Sequence, residues 1–159
     1  GRTIDCTNIV LIATSNAGTA FIQDQVQQHT PLEQIKTALL ERELKGVFRP
    51  EFLNRFDGII LFKPLTLDEV TQIAWLLMGS LTNRMQEKGI LFRAEDAAVE
   101  RLAKAGFDPL FGARPLRRVL QDQVENALAD LVLRNQVHRM DTIILAADGT
   151  LHVEPSTHL

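Results

Sequence analysis

The apolar positions of the chain change period at about residue 64. Before it lie two short unbroken apolar runs, NIVLIA at 8–13 and IILF at 59–62, both rich in β-branched or aromatic side chains. Continuous rather than alternating runs of this length predict strands covered on both faces, as in a parallel sheet. Between them, residues 21–29 are polar and glutamine-rich and predict a frayed helix and loop. Leu32, Ile35, Leu39 and Leu40 then recur at steps of three and four to about Lys45. Thr30-Pro31-Leu32-Glu33 reads as the capping box that opens this helix, and Gly46 as its stop. Pro50 opens a short helix, and Asp57-Gly58 turns the chain into the second apolar run.

Lys63-Pro64-Leu65 reads as a hinge, because proline stops the strand and helical spacing begins at once. Thr66-Leu67-Asp68-Glu69 is a second capping box. The helix behind it buries Val70, Ile73, Ala74, Leu77, Leu81 and Met85, ends at Gly89, and leaves Trp75 off the stripe, either at the rim of the core, the simpler reading, or packed across a domain or subunit boundary. Residues 90–92 predict a short strand, and 95–105 a helix with Val99, Leu102 and Ala103 inward, stopped by Gly106. The longest helical pattern follows: Leu116, Val119, Leu120, Val124, Ala127, Leu128, Leu131 and Val132 mark one face of a helix running to about Asn135. Residues 142–147 and 150–154 flank Asp148-Gly149, the signal of a two-residue hairpin, with Leu151 and Val153 inward and His152 outward. Residues 155–159 form a loose tail.

Composition narrows the classes of function. The 17 basic and 20 acidic residues of the 159 leave a net charge of −3, so no global field favours nucleic acid or an anionic membrane surface. Any anion binding is therefore local. The single cysteine, Cys6, cannot form an internal disulfide, and no cysteine or histidine cluster has zinc-ligand spacing. The apolar runs are far shorter than the ~20 residues that span a bilayer, and no signal-peptide layout opens the sequence. These features point to a soluble, cytosolic protein.

Three places carry candidate chemistry. In 106–118, GFDPLFGARPLRR, Pro115 fits a first helical turn, so Arg114, Arg117 and Arg118 crowd the positive end of a helix dipole. Such a site suits a phosphate ligand; equally, neighbouring carboxylates could neutralise the arginines, and the residues alone leave both open. Asn16, in TSNAG just past the first apolar run, stands where α/β proteins bind ligands, although a turn residue bonding to nearby backbone fits it as well. Arg55, in FLNRF, lies near Asp57, and by itself reads first as half of a surface ion pair. His29, His138, His152 and His158 are scattered and read as surface histidines. No GxxxxGK[ST] loop occurs, and no apolar strand ends in an acidic pair suited to magnesium. Residues suited to phosphate without the parts that bind a nucleotide outright suggest an incomplete enzyme.

Taken together and in order, GRTIDCTNIVLIATSNAG, FRPEFLNRFDGIILF and GFDPLFGARPLRR resemble the C-terminal half of the last ATPase module of the Clp/heat-shock-100 ATPases (ClpB-, ClpC- or ClpA-like), a branch of the AAA+ proteins. The resemblance implies an α/β fold in two parts. Residues 1–64 would be the C-terminal part of a large nucleotide-binding domain, contributing two parallel-sheet strands plus helices. Residues 65–154 would be an α+β small domain with a C-terminal hairpin. It also implies roles: Asn16 as sensor 1, orienting the attacking water; Arg55 as the arginine finger, acting in trans on the neighbouring subunit's ATP; and Arg114 as sensor 2, contacting the phosphates of its own subunit's nucleotide. Arg117 and Arg118 fall outside these roles. Gly58 and Cys6 depart from the family pattern without touching a catalytic position. The full-length protein would use ATP and Mg2+, assemble as a hexameric homo-oligomer and act on unfolded or aggregated polypeptide, with a Clp-type protease as partner in one branch and no nucleic acid or membrane. This stretch alone would bind neither cofactor well and would not hydrolyse ATP.

The resemblance carries a structural consequence. The family's large-domain sheet has the order 5-1-4-3-2, and only the fourth and fifth strands have counterparts here. Residues 8–13 and 59–62 would then present open apolar edges, and residues 1–64 would be unstable without completion by other chain. The alternative from another class is a free-standing oligomerisation or adaptor module that hydrolyses nothing, in which Arg117 and Arg118 are protein contacts. The reading frame upstream of Gly1 separates the two.

Overall fold

A computed structural model describes residues 7–109 and 111–156. It divides into two compact units, Gly1–Lys63 and Pro64–Leu159. The expectations concerning Cys6, His158 and the end of the tail at 157–159 lie outside the described residues.

The first unit is helical. It contains α1 (Thr19–Gln27), α2 (Leu32–Ala38), a π-helical turn (Leu39–Glu43), α3 (Leu44–Val47) and α4 (Pro50–Leu53). Its small core is Ile35, Leu39 and Leu44. The helix predicted from Leu32 is present and runs through Gly46 to Val47, because nothing there requires a left-handed residue. The expected capping box at its start is not formed. Pro31 occupies the N-cap with no side-chain hydrogen bond, while the Thr30 hydroxyl bonds the Gln25 side chain at 3.1 Å. Neither apolar run becomes a paired strand: residues 8–13 and 59–62 have no ladder partner. Ile9, Val10, Leu11 and Ile12 are 60–86% exposed, and Ile60 and Phe62 are similarly bare. A strand gains its stability from a hydrogen-bonded neighbour, and no neighbour is available among the described residues.

The second unit holds the larger core. The capping box at Thr66 is complete: its hydroxyl accepts from the Glu69 N–H at 3.3 Å, and Glu69 Oε2 accepts from the Thr66 N–H at 2.9 Å. Losing such a cap costs about 1 kcal/mol. Behind it α5 (Leu67–Glu87) buries Val70, Ala74, Met78, Leu81 and Met85, with Ile73 and Leu77 partly covered at the margin. Gly89, with φ of 75°, supplies the left-handed residue that lets the chain leave the helix. Three strands follow in the order β1 (Leu91–Ala94), β2 (Thr142–Leu145), β3 (Leu151–Glu154). β1 and β2 are parallel, with Phe92 beside Ile143, and β2 and β3 are antiparallel. The hairpin differs from the two-residue prediction. Ala146 N–H donates to Thr150 O and Gly149 N–H to Ala146 O, so three residues form the loop, with Gly149 at φ 92°. This is the arrangement of a turn closed by a glycine bulge.

The crossover from β1 to β2 contains α6 (Asp96–Gly106), α7 (Leu116–Leu120), a π-helical turn (Gln121–Glu125) and α8 (Asn126–Leu133). The long helix predicted from Leu116 is therefore interrupted by a wider turn. Its fully covered positions are Leu116, Leu120, Val124 and Leu128, each four apart. In a pure α-helix each step of four advances about 40° around the axis, so the row would drift away from the core. The wide turn takes up part of that drift. It is fastened to the neighbouring helices by Arg84 to Glu125 at 2.6 Å and Arg101 to Gln123 at 3.1 Å.

Two features close the unit. At Gly106 a β-carbon would stand 2.5 Å from Leu116 Cα, so the end of α6 and the start of α7 touch backbone to backbone. Asp141, buried at the end of the sheet where β1 and β2 begin and β3 finishes, accepts hydrogen bonds from the His138 N–H at 2.7 Å and the Ser156 N–H at 2.9 Å. Those backbone bonds, the one from His138 first, hold its carboxyl below the usual 3.8.

Alanine at 106 gains at most about 1 kcal/mol of helix propensity but overpacks against backbone, which costs about 1–3 kcal/mol and cannot be relieved by a rotamer change. Gly106→Ala is therefore expected to lower the urea midpoint reported by fluorescence of the single tryptophan, Trp75. A midpoint equal to or above that of the parent would refute the close approach. For Asp141, a folded pKa below the unfolded one means stability that is present above the ordinary carboxylate range and is lost as pH falls through the folded value. Asp141→Asn is expected to unfold more easily than the parent at neutral pH, with the two midpoints converging below about pH 3.8. A gap independent of pH would show that the charge contributes nothing.

Candidate functional site

Asn16 and Arg55 stand on the first unit and Arg114 on the second. Asn16 lies in the turn before α1, where its carbonyl accepts from the Thr19 N–H at 3.3 Å and the Thr19 hydroxyl at 2.7 Å. Gly18, at φ 75°, caps that helix, and the Ser15 hydroxyl accepts from the Ala17 N–H at 3.1 Å. The turn is thus held by the backbone of Asn16 and by its neighbours. The Asn16 side-chain amide is exposed and has no hydrogen-bond partner among the described residues.

Arg55 follows α4 in a tight turn, its N–H donating to Phe52 O at 3.2 Å. Pro50 at the first helical position and the extended Arg49 before it set where this helix begins. The guanidinium is exposed, and no ion pair with Asp57 forms. The surface-pair reading of Arg55 therefore fails on geometry.

Arg114 stands at the end of a pinched loop. Asp108 and Gly112 exchange backbone hydrogen bonds at 3.0 and 2.6 Å, and Asp108 Oδ1 accepts from the Phe111 N–H at 2.9 Å. Gly112, with φ of 63°, makes the reversal possible. Phe107 and Ala113 pack on the core at either side, so the loop is anchored at both ends while Arg114 points outward. Pro115 has helical dihedrals and caps α7 without a side-chain bond. Of the three arginines here, only Arg118 meets a carboxylate, that of Asp122 at 3.7 Å. Arg114 and Arg117 have none among the described residues, so neutralisation by neighbouring acids does not account for them.

An exposed guanidinium without a carboxylate partner offers five donors to an oxyanion, in a fork that matches phosphate. That is what Arg55 and Arg114 can do chemically. The histidines add nothing to either place: His29 sits at φ 58° after α1, His138 is 80% exposed beside Asp141, and His152 bonds the Thr150 hydroxyl at 2.9 Å. Among the described residues no group of three or more His, Cys, Asp and Glu is arranged to hold a metal ion. Surface grooves occur against α2, near Glu33, Thr37 and Glu41, and beside β1, near Gln86, Leu91 and Arg93; neither includes Asn16, Arg55 or Arg114. One feature escaped the sequence reading although its signal was present. Phe48, Phe52 and Phe56, four residues apart and next to Arg55 in sequence, meet ring to ring, Phe48–Phe52 stacked at 5.7 Å and Phe52–Phe56 edge to face at 5.0 Å between centroids. No helix among the described residues is long and apolar enough to cross a membrane.

Comparison with known proteins places these observations. A family model described as the C-terminal, D2-small domain, of ClpB protein matches residues 65–145, and one described as an AAA domain (Cdc48 subfamily) matches residues 1–59. The chain is 39% identical over 149 residues to the chaperone protein ClpB of Rhodopirellula baltica, covering 94% of this chain and 17% of that protein. It is 42% identical over 156 residues to the ATP-dependent Clp protease ATP-binding subunit ClpC of Staphylococcus epidermidis, covering 94% and 19%. Among solved structures, Saccharomyces cerevisiae Hsp104 in an extended-conformation casein complex superposes with a TM-score of 0.79 at 31% identity, over 98% of this chain and 27% of that one. The chain spans less than a fifth of the length of these curated relatives. It belongs to the Clp/heat-shock-100 branch of the AAA+ proteins, as the C-terminal part of a ClpB- or ClpC-type module.

Proposed function

We propose that the chain is the C-terminal portion of an ATP-driven Clp-type unfoldase or disaggregase, and that it supplies three polar groups to ATP hydrolysis. Residues 1–64 belong to a nucleotide-binding large domain completed by chain outside this sequence, and residues 65–154 form its small domain. The exposed apolar stretches at 8–13 and 59–62 support this reading, since they have the composition of central strands and lack neighbours. The observation that carries it is that Arg55 and Arg114, in stretches that resemble the family's motifs, are exposed guanidinium groups with no carboxylate partner among the described residues.

On this reading each residue acts through a property already described. ATP, when bound with Mg2+, supplies the γ-phosphoryl group that is transferred to water. Asn16 holds the attacking water through its free side-chain amide, which can both donate and accept. Arg55 reaches the nucleotide of the neighbouring subunit and stabilises the charge that develops on the transferring group. Arg114, on the anchored loop, contacts the phosphates of its own subunit's nucleotide and links their presence to the position of the small domain. The phosphate-binding loop and the magnesium ligands lie in other parts of the full-length protein. The trans role of Arg55 requires a neighbouring subunit, which a hexameric ring of this chain's parent in the cytoplasm would supply, and unfolded or aggregated polypeptide is the substrate. A Clp-type protease is the partner if the protein belongs to the ClpC-like branch.

In the full-length protein, Arg55→Ala is expected to reduce ATP turnover by about 10³-fold or more while nucleotide binding and ring assembly persist. Turnover, nucleotide titration and sedimentation of the ring measure the three quantities. Undiminished turnover would sink the assignment.

A further inference from the structure

α4 spans only four residues, Pro50–Leu53, and ends two residues before Arg55. A helix so short does not persist through its own hydrogen bonds, because nucleation is unfavourable. Pro50 pre-sets its first turn, and the Asn54 N–H closes the helix on Pro50 O at 3.0 Å, but beyond Asn54 no four-residue helical bond continues. The Arg55 N–H meets Phe52 O and the Phe56 N–H meets Leu53 O, both at 3.2 Å and both in the tight three-residue pattern of a fraying terminus. The side chain of Arg55 has no partner among the described residues to direct it. The remaining constraint is aromatic. Phe48 and Phe52 stack with centroids 5.7 Å apart and planes at 26°, and Phe52 meets Phe56 edge to face at 5.0 Å and 84°. Both geometries are those preferred by ring quadrupoles.

Phe52 is the middle ring and the only one in contact with both others. It is 47% exposed, and the buried core of its unit is Ile35, Leu39 and Leu44, so burial does not account for its place. Phe52 and Phe56 flank Arg55 in sequence and clamp the turn that carries it. Leucine at 52 would keep an apolar side chain of helical propensity but remove the flat face and the edge contact together.

We propose that Phe52, locked between Phe48 and Phe56, is a positioning residue that aims the Arg55 guanidinium. This rests on the reading of Arg55 as a group that acts on the neighbouring subunit's nucleotide. Under it the ladder is needed for rate, because misplacement of a catalytic group by about 1 Å can cost about 100-fold. Nucleotide affinity, set by residues elsewhere, is left alone.

The test uses the full-length protein as an assembled ring, with Arg55→Ala as the reference. Phe52→Leu is expected to lower kcat for ATP at least tenfold with KM for ATP unchanged, and Phe52→Tyr, which keeps the ring, to restore the parent's kcat. Phe52→Leu subunits mixed into parental rings are expected to depress turnover more than in proportion to their fraction, as Arg55→Ala subunits do, because the defect falls on the neighbour's site. Should Phe52→Leu fail to assemble, Phe56→Leu, which breaks the edge contact and leaves the Phe48–Phe52 stack, is measured in the same way. A kcat within twofold of the parent, or a fall in kcat matched by a rise in KM, in rings where Arg55→Ala is inactive would overturn the ladder while leaving the role of Arg55. Full turnover by Arg55→Ala itself would overturn both.

Discussion

The close approach of Gly106 to Leu116 is the constraint on which the second unit depends. It brings the end of α6 against the start of α7, so the nine residues between them must leave and return through a narrow neck. The Asp108–Gly112 pairing closes that loop upon itself, and Phe107 and Ala113 seat its two arms on the core. Arg114 is then held outward by anchored backbone on both sides, its N–H donating to Phe111 O at 3.3 Å and its side chain without a polar contact among the described residues. The same neck fixes the angle at which the following helix starts. From there the row Leu116, Leu120, Val124, Leu128 stays on the core only because the turn at Gln121–Glu125 is wider than an α-helical one. The bonds from Arg84 to Glu125 and from Arg101 to Gln123 tie that turn to the neighbouring helices.

The first unit obeys a different constraint. Its buried core is three aliphatic residues, while two apolar stretches remain bare. Helices tolerate this because their backbone bonds are internal, whereas strands do not, because theirs must come from a neighbour. This accounts for one unit whose helices form and whose candidate strands stay unpaired. It also explains why, in a unit with so small a core, an aromatic ladder rather than burial organises the segment around Arg55.

Electrostatics divide the arginines only in part, since Arg117, outside the family roles, also lacks a carboxylate among the described residues. Arg84, Arg118 and Arg134 each meet a carboxylate at 2.6, 3.7 and 2.9 Å and are accounted for by surface pairing. Arg55 and Arg114 meet none. Pairs of that exposed kind contribute about 0–1 kcal/mol, so the informative fact is the absence of a partner at two arginines that the family motifs single out.

The sequence by itself determined the helices of both units, the boundary between units at Lys63-Pro64, the capping box at Thr66, most of the inward face of α5, the hairpin and the family. Each follows from local periodicity or from the chemistry of a few adjacent residues. Tertiary structure decided what depends on neighbours distant along the chain. The capping box expected at Thr30 lost its hydroxyl to Gln25, and the two-residue turn at Asp148-Gly149 became a three-residue loop closed at Ala146 and Thr150. The long helix took a wide turn to keep its buried row in line. The spacing of Phe48, Phe52 and Phe56 was visible from the start, but that their rings meet in stacked and edge geometry beside Arg55 required coordinates, because one short helix does not set where its aromatic side chains close. For Arg55 and Arg114, residue type and motif pointed to phosphate. Only the fold decided that no carboxylate of the described chain reaches them, since ion pairing depends on which side chains converge in space.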